Sequence, residues 1–142
     1  MSDPFNLHRF VVAQERCYNK AIDELRRGLK KGHWMWFIFP QLVGLGPSQN
    51  SRFYGITSLE EARAYLDHTV LGPRLSRCVE AVNSHDERSA LEIFGSTDAL
   101  KFRSSMTLFA EAAPLVSIFS TALRKYCDGV PDPMTLAILC PK

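Results

Sequence analysis

The sequence predicts an all-α domain, and three observations lead to that prediction. First, apolar residues recur at spacings of three and four along most of the chain, which places them on one face of a helix. Second, Ser, Thr and Asp residues typical of helix starts precede these segments, and Gly or Pro follows them. Third, no two alternating apolar segments are joined by a tight turn, so no β-hairpin is predicted.

The first helical period begins after Asp3-Pro4 with Leu7, Phe10 and Val11, and it continues to a basic turn that ends at Gly32. The block at 34–39 is apolar at every position, so its periodicity allows either a buried strand or a buried helical turn. The stretch at 42–56 is rich in Gly, Ser and Asn and predicts a long ordered loop, a kind of segment that is often functional.

The later segments carry clearer helix boundaries. Ser58 and Glu61 have the spacing of a capping box and predict a helix at 59–68. Gly95, Pro114 and Gly129 mark the ends of further helices. These helices are predicted at 75–83, 89–94, 97–113 and 115–129, with a small terminal one from Asp132-Pro133 onwards. The total is about seven helices with one long Gly-rich loop.

Length and composition indicate one globular domain over residues 1–142. The chain is 46% apolar and 23% charged, which excludes intrinsic disorder as its main state. A formal net charge of +2 neutralises little phosphate, so no nucleic-acid partner is expected. The longest apolar runs, at 34–39 and at 134–140 with Thr135 interrupting it, fall far short of the roughly 20 residues of a membrane span. The first ten residues lack a signal-peptide pattern. We therefore expect no membrane partner and a cytoplasmic location.

Neither a metal nor a cofactor is predicted. The four cysteines stand far apart, without a CxxC or CxxH spacing, and are expected to act as small apolar residues: Cys17, Cys78, Cys127 and Cys140. Three histidines are isolated from one another on segments that we expect at the surface: His8, His68 and His85. Motifs of acyl-transfer enzymes and zinc proteases are also missing from the sequence.

Several motifs occur in a recognisable order. HWMWFIFPQ stands at 33–41, a Gly-Leu-Gly loop follows at 44–46, and SSMTLF stands at 104–109. On these motifs the chain resembles a small bacterial family of unknown function whose members are often labelled "calpastatin". The resemblance covers 10–139 and implies a single, mainly helical domain. It implies neither an established activity nor a protease inhibitor, because the repeated, disordered sequence of the calpain inhibitor has no counterpart in this chain.

A weaker similarity involves Lys101-Phe102 on a predicted helix, the Ala-rich helix before it and the tryptophan-rich block. This order is similar to that of the helical enzymes that cleave N-glycosidic bonds in riboflavin intermediates and reverse ADP-ribosylation. The paired tryptophan and glycine that those enzymes carry near the C-terminus are missing from this chain. The similarity implies N-glycosidic hydrolysis as a candidate activity.

The predicted helix after Thr97 carries the most polar candidate site. Asp98, Lys101 and Ser105 are spaced to share one helical face, and Ser104 adds a second hydroxyl at the edge of the core. These side chains could line a pocket. They could equally form an exposed ion pair, worth about 0.2–0.5 kcal/mol, and serines that hydrogen-bond to their own helix.

The aromatic block supplies further candidates. His33 titrates near neutral pH and is a candidate acid or base, although a structural histidine is the alternative. Trp34 and Trp36 offer flat faces for a base or a nicotinamide ring, and burial in the core is again the alternative.

Gln41 and the loop after it complete the candidate site. Glycine residues allow backbone N–H groups to approach an anion, and Ser48, Ser51 and Arg52 could donate to phosphate or carboxylate. The loop matches neither a Walker loop nor a dinucleotide-binding fingerprint.

Two functions follow from these candidates. The first is a small-molecule pocket for a nucleotide or ribose-phosphate-like ligand, with N-glycosidic hydrolysis as its reaction. Asp98 or Glu61 would stabilise the oxocarbenium charge or activate water, while Lys101 and Arg52 hold phosphate. The second is a non-catalytic protein-interaction module, for which a second copy of the chain is one candidate partner.

Overall fold

The computed structural model describes residues 3–139, and in this range it contains nine helices and one isolated β-bridge. The helices are α1 (His8–Arg27), α2 (Met35–Ile38), α3 (Gln49–Phe53), α4 (Leu59–Asp67), α5 (Leu71–Asn83), α6 (Ala90–Phe94), α7 (Ser96–Ala112), α8 (Ser117–Tyr126) and α9 (Pro133–Leu139). The predicted all-α class is confirmed. The helices beyond the expected number are the short α2 and α3.

Helix α1 ends earlier than its sequence pattern predicts. Gly28 adopts a left-handed conformation with φ 78°, and its N–H donates to the carbonyl of Leu25. The N–H of Leu29 donates to the carbonyl of Glu24 in the same cap. Glycine takes this conformation without steric cost, so the helix stops there and not at Gly32.

The apolar block at 34–39 forms a helical turn, α2, and not a strand. Trp34, Met35, Ile38 and Phe39 are buried around it. Phe39 packs edge-to-face on Phe102 of α7, with ring centroids 5.1 Å apart. This packing holds α2 against the core of the protein. The helix depends on it, because four residues do not form a stable helix in isolation.

The buried apolar side chains form one contiguous core, and α7 runs through it. Phe102, Met106 and Phe109 of α7 are fully buried, and the helix packs on α4, α6, α8 and α9. On the other side, α1 packs on α2 and α5. The N-terminal end of α7 reaches the surface, where Ser96 and Thr97 are exposed.

The loop at 42–56 is a folded unit. Leu42 and Ile56 form the isolated bridge at its base, where the N–H of Val43 donates to the carbonyl of Ile56 over 2.8 Å. Gly55 stands beside this bridge, and a Cβ there would lie 2.6 Å from the carbonyl oxygen of Ser51 and 2.7 Å from Cβ of Val43. Only glycine allows this close approach.

Other sequence expectations concern membranes, metals and cysteines. None of the helices between residues 3 and 139 is long and apolar enough to span a membrane. Within the same range, no cluster of three or more His, Cys, Asp or Glu side chains is placed to hold a metal ion. Cys78 is a buried free thiol whose pKa burial raises to about 12, Cys17 and Cys127 are partly buried free thiols, and Cys140 lies outside the described residues.

Candidate functional site

A cavity of about 390 Å³ opens between α7, the loop at 42–56 and the start of α9; we call it the α7 cavity. Its volume is in the lower part of the range of small-molecule sites. Its walls are Trp36, Gln41, Leu42, Leu45, Gly46, Pro47, Ser48, Ser51, Tyr54 and Gly55 on one side, and Thr97, Leu100, Lys101, Ser104, Asp132 and Met134 on the other. The fold thus brings together segments that are distant in the sequence.

Part of the sequence-predicted site lies on this cavity and part does not. The predicted residues that line it are Trp36, Gln41, Ser48, Ser51, Lys101 and Ser104. The predicted residues that lie elsewhere are His33, Trp34, Arg52, Glu61, Asp98 and Ser105. The structure therefore divides the predicted residues into a set on the α7 cavity and a set elsewhere, and the sequence pattern does not show this division.

Lys101 provides the positive charge on the cavity wall. Its Nζ lies 4.3 Å from the ring centroid of Trp36, a cation–π distance, and 3.4 Å from Oδ1 of Asp98. The other carboxylate oxygen of Asp98 is 2.8 Å from Nζ of Lys30. One carboxylate is thus shared by two ammonium groups, and Lys101 has the longer of the two contacts.

The side chain of Gln41 is a polar group without a partner. The residue is 7% exposed, and its backbone carbonyl accepts from Ile56 at the base of the loop. Its Nε2 is fully buried and has no acceptor among the described residues. A buried polar group left without a hydrogen bond costs about 1–3 kcal/mol, so this amide is a strong candidate for contact with a ligand.

Asp132 is a cavity residue that the sequence pattern indicates only as a helix start. Its Oδ2 accepts from the N–H of Thr135 at 3.0 Å and from Oγ1 of Thr135 at 2.5 Å. It also lies 3.2 Å from Oγ of Ser104, whose hydroxyl is 3.1 Å from the carbonyl oxygen of Leu100 as well. Its Oδ1 has no donor within the described residues. The Asp-Pro motif indicates the N-cap of α9, but nothing in the sequence indicates that this cap folds onto α7.

The polar atoms of the loop are used within the loop. Oγ of Ser48 accepts from the N–H of Ser51 and caps α3. The hydroxyl of Ser51 lies 2.7 Å from the carbonyl oxygen of Gly46 and 2.8 Å from that of Ser48. Arg52 is exposed and donates to the carbonyl of Pro47. These side chains stabilise the wall of the cavity through bonds that a phosphate would have to replace.

Glu61 and Trp34 serve the packing of the fold. The Glu61 side chain is 2% exposed, lies 2.8 Å from the guanidinium of Arg9 and does not line the α7 cavity. Trp34 is buried, and its indole N–H donates to Glu24. Burial of Glu24 acts to raise the pKa of its carboxyl, but hydrogen bonds from the Gly32 and Lys31 N–H groups and from Trp34 outweigh it and leave the pKa lowered.

The two remaining candidates also lie off the cavity. Ser105 is fully buried in the core, and its Oγ has no partner among residues 3–139. His33 is exposed in the turn before α2. The face that α7 presents to the cavity carries Thr97, Lys101 and Ser104. Ser104, and not the predicted Ser105, therefore shares the face of Lys101.

Comparison with known proteins places the chain in a family. The family model described as "Protein of unknown function (DUF1810)" matches residues 4–139. The structure is also similar to the crystal structure of the conserved hypothetical protein Rv1873 from Mycobacterium tuberculosis, with 55% sequence identity and a TM-score of 0.95 over 96% of this chain and 98% of that one. The chain has no match among the curated proteins. With nearly its whole length matched, the chain belongs to the DUF1810 family.

Proposed function

We propose that the α7 cavity binds a small anionic molecule of the nucleotide or ribose-phosphate class. The observation that carries this proposal is the presence on one cavity of the Lys101 ammonium, which has only a shared carboxylate as its counter-ion, and of Gln41, whose Nε2 has no acceptor among the described residues. In this proposal Lys101 holds the anionic group, and the amide of Gln41 bonds a polar edge of the ligand.

Local electrostatics support an anion near Lys101. Lys30 and Lys101 share the carboxylate of Asp98, so the three side chains together carry one net positive charge. Thr97 and Lys101 belong to the first turns of α7, where the helix dipole adds positive potential. An anionic group in the cavity would gain from both sources. The apolar lining residues Leu42, Leu45 and Leu100 suit the uncharged part of the ligand.

Hydrolysis of an N-glycosidic bond is the enzymatic form of this proposal. It requires a carboxylate beside the sugar, which stabilises positive charge at the anomeric carbon or takes a proton from the attacking water. Asp98 is held by two lysines and Glu61 is paired with Arg9, whereas Asp132 lines the cavity. Asp132 therefore replaces Asp98 and Glu61 as the candidate carboxylate.

A thermal-shift titration tests the binding proposal. The ligands are ribose 5-phosphate, AMP, ADP-ribose and NAD, and the variant is Lys101→Gln. The matched control is Lys20→Gln, because Lys20 is an exposed lysine on α1. A ligand at 100 times its Kd stabilises the protein by roughly 2.7 kcal/mol. We expect a shift in the wild type and in Lys20→Gln and its loss in Lys101→Gln.

An equal shift in Lys101→Gln, or no shift with any of these ligands, would contradict the proposal. Chromatography of a long incubation with each ligand that binds then tests the enzymatic form. Release of the free base together with the ribose product supports hydrolysis, and unchanged ligand restricts the function to binding.

One exposed side chain favours the second candidate function, self-association. Leu115 is 99% exposed, and it stands between Ala113 and Val116, which line a cavity of about 510 Å³ beside α4 and α5. A projecting apolar side chain next to a hollow can complete the same surface on a second copy. Sedimentation of the wild type and of Leu115→Ser tests this candidate. A dimer lost in the variant supports it, and a monomeric wild type at high concentration rejects it.

A further inference from the structure

We infer that Asp132 makes the α7 cavity selective for a ribose with free hydroxyls, so that the ligand is a phosphorylated ribose or ribonucleotide and not its 2-deoxy counterpart. The inference rests on the proposed function and names a narrower class of ligand for the same cavity.

The Asp132 carboxylate is held by the protein through only one of its two oxygens. Oδ2 receives the two hydrogen bonds from Thr135 described above and contacts Oγ of Ser104, and these contacts fix the orientation of the carboxylate. Oδ1 receives none from residues 3–139, although Asp132 lines the cavity. A carboxylate oxygen has two lone-pair directions, so Oδ1 can accept one or two hydroxyl donors from a ligand.

The carboxylate of Asp132 also stands apart from the ion pairs of the described residues. Asp132 forms no ion pair with a lysine, arginine or histidine of the described residues, since the nearby guanidinium of Arg103 donates to the carbonyls of Val130 and Pro131 instead. Its carboxylate is the negative group of the cavity wall. A phosphate is repelled there and attracted to Lys101, which orients a ligand that carries an anion at one end and neutral hydroxyls at the other. Phosphorylated ribose has this distribution of groups.

Lys101 and the serine that contacts Asp132 lie close together along α7. Ser104 follows Lys101 by three residues, which corresponds to about 4.5 Å along the helix axis, and its Oγ lies 3.2 Å from Oδ2 of Asp132. The ammonium and the carboxylate thus belong to neighbouring parts of the cavity wall, with Ser104 between them. The amide of Gln41 remains for the base or for another polar group on the sugar.

Other occupants of Oδ1 fit the cavity less well. A divalent cation needs several oxygen ligands, and within residues 3–139 no group of three or more acidic, His or Cys side chains surrounds Asp132. An amino acid could place its ammonium on Asp132 and its carboxylate on Lys101, but it leaves the apolar part of a 390 Å³ cavity largely empty. The hydroxyls of a ribose can donate to Asp132, and the remainder of a phosphorylated ribose or ribonucleotide fills the apolar part of the cavity.

Isothermal titration with ribose 5-phosphate and 2-deoxyribose 5-phosphate tests the inference on the wild-type protein. A hydrogen bond to a charged acceptor corresponds to roughly a ten- to hundred-fold change in affinity. We expect ribose 5-phosphate to bind tighter than the deoxy sugar by that factor. AMP and dAMP provide a second pair with the same expected difference.

The variant Asp132→Asn assigns the difference to this residue. Asparagine is as good an N-cap as aspartate, so α9 should form, and a thermal melt of the variant checks this. We expect the preference for ribose to fall to about two- to three-fold in Asp132→Asn, because a neutral acceptor bonds a hydroxyl more weakly than a carboxylate does. Lys101→Gln is expected to weaken both sugars equally.

The outcomes distinguish the inference from the proposed function. Equal binding of the ribose and deoxyribose phosphates to the wild type overturns the inference and leaves the proposed function intact. A preference that persists unchanged in a folded Asp132→Asn also overturns it. Binding of neither sugar phosphate and neither nucleotide overturns both. The first comparison needs no variant, so a failure of Asp132→Asn to fold does not prevent a decision.

Discussion

The substitution Arg9→Met is expected to cost this protein a large part of its stability. The guanidinium of Arg9 donates five hydrogen bonds, which go to the backbone carbonyls of Phe5, Asn6, Phe53 and Gly55 and to the carboxylate of Glu61. These bonds join the start of α1 to the end of the loop at 42–56 and to α4. Arg9 thereby holds one wall of the α7 cavity from outside it.

The magnitude follows from burial. The side chains of Arg9 and Glu61 are 8% and 2% exposed, so methionine at position 9 leaves a buried carboxylate without its counter-ion. Loss of one partner of a buried ion pair costs about 3–5 kcal/mol. The total stability of a domain is commonly 5–15 kcal/mol, so the loss is a large fraction of it. For a chain of this size we expect the Tm to fall by roughly 10–20 °C.

A double-mutant cycle gives the assay. Urea unfolding is measured for the wild type, Arg9→Met, Glu61→Gln and the double variant. Because the neutral amide removes the uncompensated charge, the double variant should lose less than the sum of the single variants, by about 1–3 kcal/mol. A loss below 1 kcal/mol in Arg9→Met, or strictly additive losses, would refute the assignment of Glu61 to this structural pair.

Three further predictions concern single side chains. Glu24→Gln should lower the free energy of unfolding by roughly 1 kcal/mol at pH 7. Because folding lowers the pKa of Glu24 from its usual 4.5, the difference between the two proteins should shrink below pH 4.5 and vanish as the pH falls through the lowered pKa of the folded state. Urea unfolding at pH 3 that shows an undiminished difference contradicts this. Ser105→Ala should leave the free energy of unfolding unchanged or raise it slightly, because the lost hydroxyl has no partner in the described residues; a loss above 1 kcal/mol in the same assay argues against this. Gly55→Ala should cost about 1–3 kcal/mol through the clash with Ser51 and Val43, and an unchanged melting curve would count against the close approach.

Local chemistry explains why most of the helices could be predicted. Ser89 and Glu92 form a complete capping box at the start of α6, and the side chain of Ser58 caps α4. These bonds connect residues three apart, so the sequence contains both partners side by side. Helix α2 has no side-chain cap, and its four residues are helical because of contacts made elsewhere, which no window of sequence contains. Helix α3 does have a local cap, Ser48, but its five residues lie within the stretch whose Gly and Ser content predicts a loop.

The candidate site could be predicted only in part, for the same reason. Lys101, Ser104 and Gln41 are polar residues within apolar segments, and that contrast is visible in the sequence. The position of Asp132 depends on α9 folding back onto α7, and the pairing of Glu61 depends on Arg9, which is 52 residues away. Both require the tertiary arrangement.

The hydrogen bonding of the described polar residues is the strongest argument for the cavity. Arg9 and Glu61 have their bonding capacity taken up within the protein, which accounts for their burial. Nε2 of Gln41 and Oδ1 of Asp132 have no partner among the described residues, and both residues line one cavity with Lys101, which shares the carboxylate of Asp98 with Lys30. A protein that is only a packing scaffold has no reason to collect such groups in one place, because each of them lowers its stability or leaves it unchanged. A ligand that bonds all of them gives that arrangement a physical reason.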